Sequence, residues 1–249
     1  MLSDLVSVIM STVDPLQGRT QTALKLLAKS TIPYELILLN RNYEWTTGSI
    51  INQGIAASVG GYVAFCCDDC FIEPDALEEM RKVLQDPETG VVGALLQYPD
   101  GIVQHAGGYV YVGNKEDESG RKWVDLKHIG QGEPIKDYKT GDVDFVTGAF
   151  MMTRSDVLQT IGWYASDCEL CWGDVDFCFR ARKSGYRVQL VATARAIHLE
   201  ASTRGKAGEP DRANVSWFLS RGEDSEFVVP PDTENKDLQP TLAVSVESQ

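Results

Sequence analysis

The chain has 249 residues, of which 43% are hydrophobic and 24% are charged, and this is the length and composition of one folded domain with a sizeable core. Its formal net charge of −13, from 23 basic and 36 acidic residues, argues against broad binding to nucleic acids or to anionic membranes. No apolar run approaches the roughly 18 residues of a membrane-spanning helix, and the N-terminal residues lack the features of a secretory signal. We therefore expect a cytoplasmic protein without a transmembrane segment.

The first half of the sequence has a β-α-β pattern, which is typical of a parallel sheet with helical crossovers. Apolar runs predict buried strands at 5–10 and 35–40, and a one-sided apolar pattern between them predicts a helix at 19–29. A second helix is predicted at 49–57, before a third buried strand that starts at Tyr62. This order of elements indicates an α/β fold.

Two adjacent carboxylates, Asp68 and Asp69, come at the end of this third strand. In open α/β sheets, ligands bind outside the carboxyl ends of the parallel strands, so both acids are expected to face a crevice. Adjacent carboxylates repel each other unless a cation, a basic partner or water compensates them, and hard oxygen ligands suit Mg²⁺ or Mn²⁺. The pair therefore indicates a divalent metal site, and a solvated acidic turn is the alternative.

The middle of the chain continues the alternation and then changes character. A helix is predicted at 74–84, with Pro74 in its first turn, followed by a strand at 91–96 and a strand-like segment at 109–112. The segment 113–141 is long, charged and rich in glycine, so we expect an active-site or acceptor loop rather than a buried element. A plain disordered insertion is the alternative.

A helix with an acidic first turn is predicted later in the chain. Apolar residues recur at helical spacing from Val175, and Gly185 suits the position after the last turn. Asp176 and Arg180 are four residues apart, so we expect them to pair on one face of the helix. Asp174 lies about 200° around the helix from Asp176, so the two carboxylates are expected to have different roles. A contact between Asp176 and an acceptor is the alternative to its structural pairing.

Two further segments carry candidate site residues. Gly148 and Ala149 lie in an apolar stretch, where small side chains allow close approach of a ligand or of backbone. A last strand is predicted at 186–191, and His198 follows it in a predicted loop.

Six cysteines in a chain expected in the cytoplasm are predicted to be reduced thiols rather than a disulfide framework. Two pairs, Cys67 with Cys70 and Cys168 with Cys171, are each spaced like half of a zinc site, but they are about a hundred residues apart. We expect small buried side chains, with structural zinc as the alternative.

These segments together resemble the family 2 glycosyltransferases, inverting enzymes of the GT-A fold, and among them the rhamnosyl and O-antigen type sugar transferases. The likeness extends from about 6 to 205. The segments that carry it are 90–96, 98–101, 104–108, 146–152, 174–176 with Arg180, 185–186, and His198 with Glu200, Ser202 and Arg204. The resemblance implies a single GT-A (Rossmann-like) domain over 1–220, with a mostly parallel sheet flanked by helices. The acidic segment 221–249 is expected to be a flexible tail.

The resemblance also implies roles for single residues. Asp69 corresponds to the ligand of a Mg²⁺ or Mn²⁺ ion that bridges the donor diphosphate, and His198 to a residue that in some members helps to bind the metal; a loop histidine without this role is the alternative. Asp174 corresponds to the catalytic base. The residues implied in binding the nucleotide-sugar donor are Asn40, Asp68, Gly148 and Ala149.

Three positions depart from the pattern of the family. Cys67 stands where an aspartate or asparagine is usual, Asn40 replaces an aspartate that commonly reads the nucleotide base, and Gly173 replaces an acid before the catalytic base.

The function implied is metal-dependent, inverting transfer of a hexosyl or deoxyhexosyl group from a nucleotide-diphosphate sugar to a hydroxyl group of a glycan, lipid-linked or protein acceptor, in polysaccharide biosynthesis. A catalytically silent binding module is one alternative. A nucleotidyltransferase is the other, but it would be expected to have a glycine-rich phosphate loop after the first strand, where 11–18 contains one glycine.

Overall fold

The structure is a computed structural model, and it describes residues 2–40, 46–116, 122–168 and 172–200. The acidic tail predicted at 221–249 and the end of the predicted domain at 220 lie outside the described residues. No helix in these ranges is both long and apolar enough to span a membrane.

The described residues form five helices and eleven strands. The helices are α1 (Gly18–Leu27), α2 (Thr47–Ala57), α3 (Ala76–Val83), α4 (Ser155–Ile161) and α5 (Gly173–Lys183). The strands are β1 (Leu2–Thr12), β2 (Tyr34–Asn40), β3 (Gly60–Cys67), β4 (Cys70–Ile72), β5 (Thr89–Gln97), β6 (Val103–His105), β7 (Gly108–Glu116), β8 (Lys122–His128), β9 (Gly141–Asp142), β10 (Phe150–Arg154) and β11 (Arg187–His198).

Nine of the strands form one sheet, whose main path runs β2-β1-β3-β10-β5-β11-β4. β1 pairs in parallel with β2 and β3, and β5 pairs in parallel with β11, whereas β10 runs antiparallel between β3 and β5. Five strands of this path, all except β10 and β4, therefore point in one direction. The predicted α/β fold with a mostly parallel sheet is confirmed, and the carboxyl ends of these five strands meet at one edge.

The sheet is covered on both faces, which explains the continuous apolar run of β3. Val63 and Phe65 belong to one buried cluster, and Ala64 and Cys66 belong to the other, as expected when successive side chains point to opposite faces of a strand. The helix predicted at 74–84 is confirmed as α3, and the apolar side chains of Leu77, Met80 and Leu84 are all fully buried.

A strand does form where one was predicted at 35–40, but the prediction that this strand is buried is wrong. β2 lies at the end of the sheet path, and Leu36 and Leu38 keep 38% and 36% of their surface exposed. An apolar run predicts a strand, but it does not distinguish an edge position from a central one.

Two predicted loops contain strands. Part of the segment 113–141 belongs to an antiparallel pair, β7 with β8, in which Val110 is paired with Leu126. His198 does not follow the last strand in a loop but ends it, in register with Cys70 of β4. Charged residues in β7 and β8, and Arg195 in β11, interrupt the apolar pattern on which the predictions rested.

Candidate active site

The carboxyl edge of the sheet gathers the predicted site residues from separate parts of the chain. Asn40 ends β2 and is paired with Thr12 at the end of β1. Asp68 and Asp69 form the turn after β3, and His198 ends β11 at the same edge. Parallel strands deliver their C-terminal residues to one side of a sheet, which is where open α/β folds bind ligands.

The antiparallel strand β10 brings its N-terminal side to this edge. Gly148 and Ala149 directly precede β10, and the carbonyl oxygen of Ala149 accepts a hydrogen bond of 2.9 Å from the backbone N–H of Cys67. The backbone N–H of Gly148 donates to Oδ2 of Asp174 over 2.8 Å. This short segment therefore links the turn after β3 to the first turn of α5.

Cys67, Asp69 and His198 form a cluster of potential metal ligands. One donor atom from each side chain lies within 4.8 Å of the other two, and no other group of three or more histidine, cysteine or acidic side chains in the described residues meets this criterion. Nε2 of His198 is 3.2 Å from Oδ1 of Asp69, and Asp69 is only 5% exposed. The structure therefore brings together the two residues predicted as metal ligands, and adds Cys67.

Gln104 orients the imidazole of His198. The Gln104 amide nitrogen lies 3.3 Å from both the carbonyl oxygen of His198 and a carboxylate oxygen of Glu200, so its Oε1 is the atom that faces Nδ1 of His198, at 2.8 Å. Because Oε1 only accepts hydrogen bonds, Nδ1 must carry a proton. In the neutral ring Nε2 then presents a lone pair towards Asp69, and a proton or a metal ion between the two atoms makes this contact favourable.

Asp68 is held by the scaffold through its Oδ2 atom. The hydroxyl groups of Thr12 and Thr20 donate to this oxygen over 2.6 and 2.9 Å, and Nε of Arg19 lies 3.7 Å from it. These bonds tie the turn after β3 to β1 and α1. A contact between Asp68 and the nucleotide stays a prediction. A contact between the exposed Asn40 and the nucleotide also stays a prediction.

Asp174 is half-buried in the first turn of α5, as its position in the sequence predicted. Besides the bond from Gly148, its Oδ1 accepts from the backbone N–H of Val175 over 2.9 Å. A Cβ atom added to Gly148 would lie 3.3 Å from the hydroxyl of Tyr164 and 3.5 Å from Cβ of Asp174, so the glycine allows the close approach. Among the described residues, backbone N–H groups therefore orient the carboxylate of Asp174.

The residues before Asp174 show why no acid precedes it. A Cβ atom at Gly173 would lie 2.5 Å from the ring of Tyr164 and 2.6 Å from the sulfur of Cys168, which leaves no room for a side chain. Trp172, before it, has a φ of 70°, in the left-handed region that bulky residues rarely adopt. Such a conformation costs about 1–3 kcal/mol, and residues held in this way concentrate at functional sites.

Asp176 pairs with Arg180, as predicted. Its side chain is fully buried, and Nε and Nη2 of Arg180 each lie 2.9 Å from Oδ2. Nη1 of Arg180 donates to the carbonyl oxygen of Ile161, which fastens α5 to the end of α4. Asp174 and Asp176 therefore have the different environments that their helical spacing predicted.

A pair of histidines next to the site was not predicted. Nδ1 of His105 lies 2.7 Å from Nδ1 of His128, and Nε2 of His105 accepts from the backbone N–H of Thr147 over 3.2 Å. Burial lowers the pKa of His105 well below its usual value, and His128 adds to this effect. Burial also lowers the pKa of His128, although nearby Asp174 and Glu200 oppose the change. Both rings therefore favour the neutral form, with a single hydrogen between their two Nδ1 atoms.

A signal for this pair did exist in the sequence. His105 lies in the segment 104–108 that carried the family resemblance, as does Gln104, but no role was inferred for either. His128 was missed because it ends β8, within the predicted loop.

The described cysteines form no disulfide, in agreement with the prediction of reduced thiols. Cys66, Cys70, Cys168 and Cys178 are buried, whereas Cys67 is half-buried. Cys171 lies outside the described residues. The zinc alternative based on four cysteines finds no support in the described part of the chain, since the one metal-like cluster there contains a single cysteine.

Comparisons with known proteins agree with this arrangement. The sequence pattern of the family described as glycosyl transferase family 2 matches residues 16–162, more than half of the chain. The O-antigen biosynthesis protein RfbC of Myxococcus xanthus is 28% identical over 196 residues, and the uncharacterized protein y4gI of Sinorhizobium fredii is 30% identical over 195 residues. These alignments cover 78% and 76% of this chain but only 15% and 21% of the relatives, so the chain spans about a fifth or less of their length.

Solved structures share the fold at low sequence identity. GalNAc-T7 with UDP, GalNAc and Mn²⁺ has a TM-score of 0.63 at 10% identity, covering 87% of this chain and 48% of that protein. The mannosyltransferase PcManGT from Pyrobaculum calidifontis, in complex with GDP-Man and Mn²⁺, has a TM-score of 0.53 at 11% identity, with coverages of 87% and 68%. TarS 1–349 of S. aureus has a TM-score of 0.53 at 13% identity, with coverages of 79% and 60%. The fold expected from the sequence is thus confirmed.

Proposed function

Because this chain belongs to glycosyl transferase family 2, with the GT-A fold of sugar transferases, we propose that it transfers a sugar, with inversion, from a nucleotide-diphosphate sugar to an acceptor hydroxyl. One observation carries the proposal. The cluster of Asp69, His198 and Cys67 and the carboxylate of Asp174 lie at the same edge of the sheet, connected through the hydrogen bonds of Gly148 and Ala149.

The donor would bind across the carboxyl ends of β2, β1 and β3. Asn40 is two strands away from the turn that holds Asp68 and Asp69, a span of about 10 Å at the usual strand spacing. That span suits a nucleoside diphosphate whose base lies near Asn40 and whose phosphate groups reach Asp69. The amide of Asn40 offers both a donor and an acceptor to a base edge. The complexes of GalNAc-T7 and PcManGT, with UDP and GDP-Man, support a nucleotide-sugar donor.

The residues of the cluster fit a divalent cation, Mn²⁺ or Mg²⁺ by family resemblance. Asp69 and His198 would hold it, and His198 is already oriented for this by Gln104. Such an ion, when bound, offsets the negative charge that grows on the leaving diphosphate.

Asp174 would act as the general base. In an inverting displacement the acceptor oxygen forms a bond to the anomeric carbon while the bond to the diphosphate oxygen breaks, and the hydroxyl proton passes to a carboxylate. The backbone N–H groups of Gly148 and Val175 orient the carboxylate of Asp174 for this transfer. A hydroxyl group of a glycan, of a lipid-linked sugar or of a protein would satisfy this chemistry, and a place in polysaccharide biosynthesis agrees with the name of RfbC.

The proposal is tested by calorimetry and thermal shift with UDP-, GDP- and dTDP-sugars, each with and without Mn²⁺. We expect one nucleotide class to stabilise the protein in a metal-dependent way. Asp69→Ala should abolish that dependence, whereas Asp68→Asn, the matched neighbour, should weaken it less because Asp68 faces Thr12 and Thr20.

Equal diphosphate affinity of Asp69→Ala and the unchanged protein in saturating metal would show that the metal site is wrongly assigned. Donor binding without transfer or hydrolysis across a broad acceptor panel would instead favour a silent binding module.

A further inference from the structure

The cluster at the sheet edge contains a sulfur atom that the proposed function does not use. Cys67 is the last residue of β3, and its Sγ is one of three donor atoms that lie within 4.8 Å of one another. The preceding Cys66 points into the core, while Cys67 is half-buried. Of these two adjacent thiols, only that of Cys67 is grouped with Asp69 and His198.

The separations within the cluster suit a small first-row metal ion. With bonds of about 2.0–2.3 Å, two ligand atoms of a tetrahedral centre lie about 3.3–3.7 Å apart. The 3.2 Å between Nε2 of His198 and Oδ1 of Asp69 is close to this value, and Sγ of Cys67 lies within 4.8 Å of a ligand atom of each of these residues. Three protein ligands leave a further position open, as catalytic metal sites require.

We propose that Cys67 is a metal ligand and makes this centre select borderline divalent ions, Zn²⁺ and Co²⁺ before Mn²⁺, over Mg²⁺. The inference rests on the proposed function, in which an ion at this place faces the donor diphosphate, and it specifies which class of ion that is.

The donor atoms provide the reason. Mg²⁺ prefers oxygen ligands in octahedral geometry, so a sulfur and an imidazole nitrogen leave it one protein carboxylate. Zn²⁺ and Co²⁺ bind sulfur, nitrogen and oxygen together, and the affinity of a given site rises from Mn²⁺ through Co²⁺ within the first-row series. Gln104 supports the same conclusion, because it fixes Nε2 of His198 as the donor atom, an arrangement typical of metal-bound histidines.

The test uses the whole chain and Co²⁺ alone as a spectroscopic probe. Unchanged protein titrated with Co²⁺ should develop a near-ultraviolet sulfur-to-metal charge-transfer band together with visible d–d bands. Cys67→Ser should lose the charge-transfer band, keep weaker d–d bands and bind Co²⁺ and Zn²⁺ at least about 10- to 100-fold more weakly. Cys66→Ala, altering the neighbouring thiol in the core, should keep the band.

A second variant measures selectivity. Cys67→Asp replaces sulfur by oxygen and should strengthen Mg²⁺ binding in calorimetry while weakening Zn²⁺ binding. Absence of a charge-transfer band in the unchanged protein, the same band in Cys67→Ser, or tighter binding of Mg²⁺ than of Co²⁺ would overturn the inference.

Nucleoside diphosphate binding is measured on the same samples to separate the two proposals. A sulfur band without any nucleotide binding would contradict the proposed function but not the role of Cys67. Nucleotide binding that depends on Mg²⁺, without a sulfur band, would contradict the role of Cys67 alone.

Discussion

The turn after β3 and the first turn of α5 each carry two acidic residues. In both places one carboxylate is bound by side chains of the surrounding fold, and the other belongs to the candidate site. Asp68 is bound by Thr12 and Thr20, whereas Asp69 faces His198.

In α5 the fully buried Asp176 pairs with Arg180, whereas the half-buried Asp174 accepts hydrogen bonds from the backbone N–H groups of Gly148 and Val175. Asp68 thus fixes the turn that positions Asp69, and Asp176 fixes the helix that positions Asp174. Helical spacing predicted that Asp174 and Asp176 differ, and the partners that each carboxylate meets in the structure show how they differ.

The largest effect that the comparison predicts is on turnover. Asp174→Asn keeps the size of the side chain and a carbonyl oxygen for the N–H of Gly148, but it removes the group that accepts a proton. We expect kcat to fall about 10²- to 10⁴-fold while donor affinity and melting temperature stay nearly the same. Steady-state kinetics with the donor identified by the binding panel measure the change. Undiminished turnover would mean that Asp174 is not the base.

The same chemical change two residues later should act on stability instead. Asp176→Asn removes the charge that compensates Arg180 inside the protein, and we expect the free energy of unfolding to fall by about 2–3 kcal/mol. Urea denaturation gives this value, and kcat of the folded fraction should change far less than in Asp174→Asn. If Asp176→Asn were fully folded and inactive, the roles of the two carboxylates would be reversed.

Gly173 offers a sharper test of how the scaffold positions Asp174. Gly173→Ala places a Cβ against Tyr164 and Cys168, and such overpacking costs about 1–3 kcal/mol. We also expect lower kcat, because the first turn of α5 must shift. Gly18→Ala is a matched control at the first residue of α1, where a Cβ meets nothing within 4 Å, and it should be neutral or slightly stabilising. Equal stability of the two variants would contradict this account.

The last predicted effect is a dependence of stability on pH rather than on a substitution. Since burial lowers the pKa values of His105 and His128, the unfolded chain binds more protons than the folded one below the unfolded value of about 6.5. The free energy of unfolding is therefore highest above this pH. It falls on acidification by up to about 1.4 kcal/mol per pH unit for each additional proton that the unfolded chain binds.

Urea denaturation between about pH 5 and 7 measures this slope. His128→Asn keeps an acceptor for Nδ1–H of His105 and removes one titrating ring, so its slope should be shallower. An unchanged slope would show that the pair does not control the effect.

Much of the fold followed from local patterns. The apolar runs of β1 and β3 predicted these strands, because a strand that is buried on both faces has a continuous apolar sequence. The first half of β7 was predicted as a strand-like segment at 109–112, but its second half and β8 left no such trace, because charged strands resemble loops. The edge position of β2 left no trace either. The pairing of Asp176 with Arg180 was predicted because four residues are one helical turn, a purely local distance.

The sequence by itself determined the α/β class, the acidic residues at the end of β3 and in the first turn of α5, and the family resemblance. Only the tertiary structure decided which of these side chains meet. His198 reaches Asp69 because β11 and β4 pair in register, and His128 reaches His105 because the hairpin of β7 and β8 returns to the site. Contacts between residues far apart in the chain depend on sheet order and register, which local periodicity does not encode.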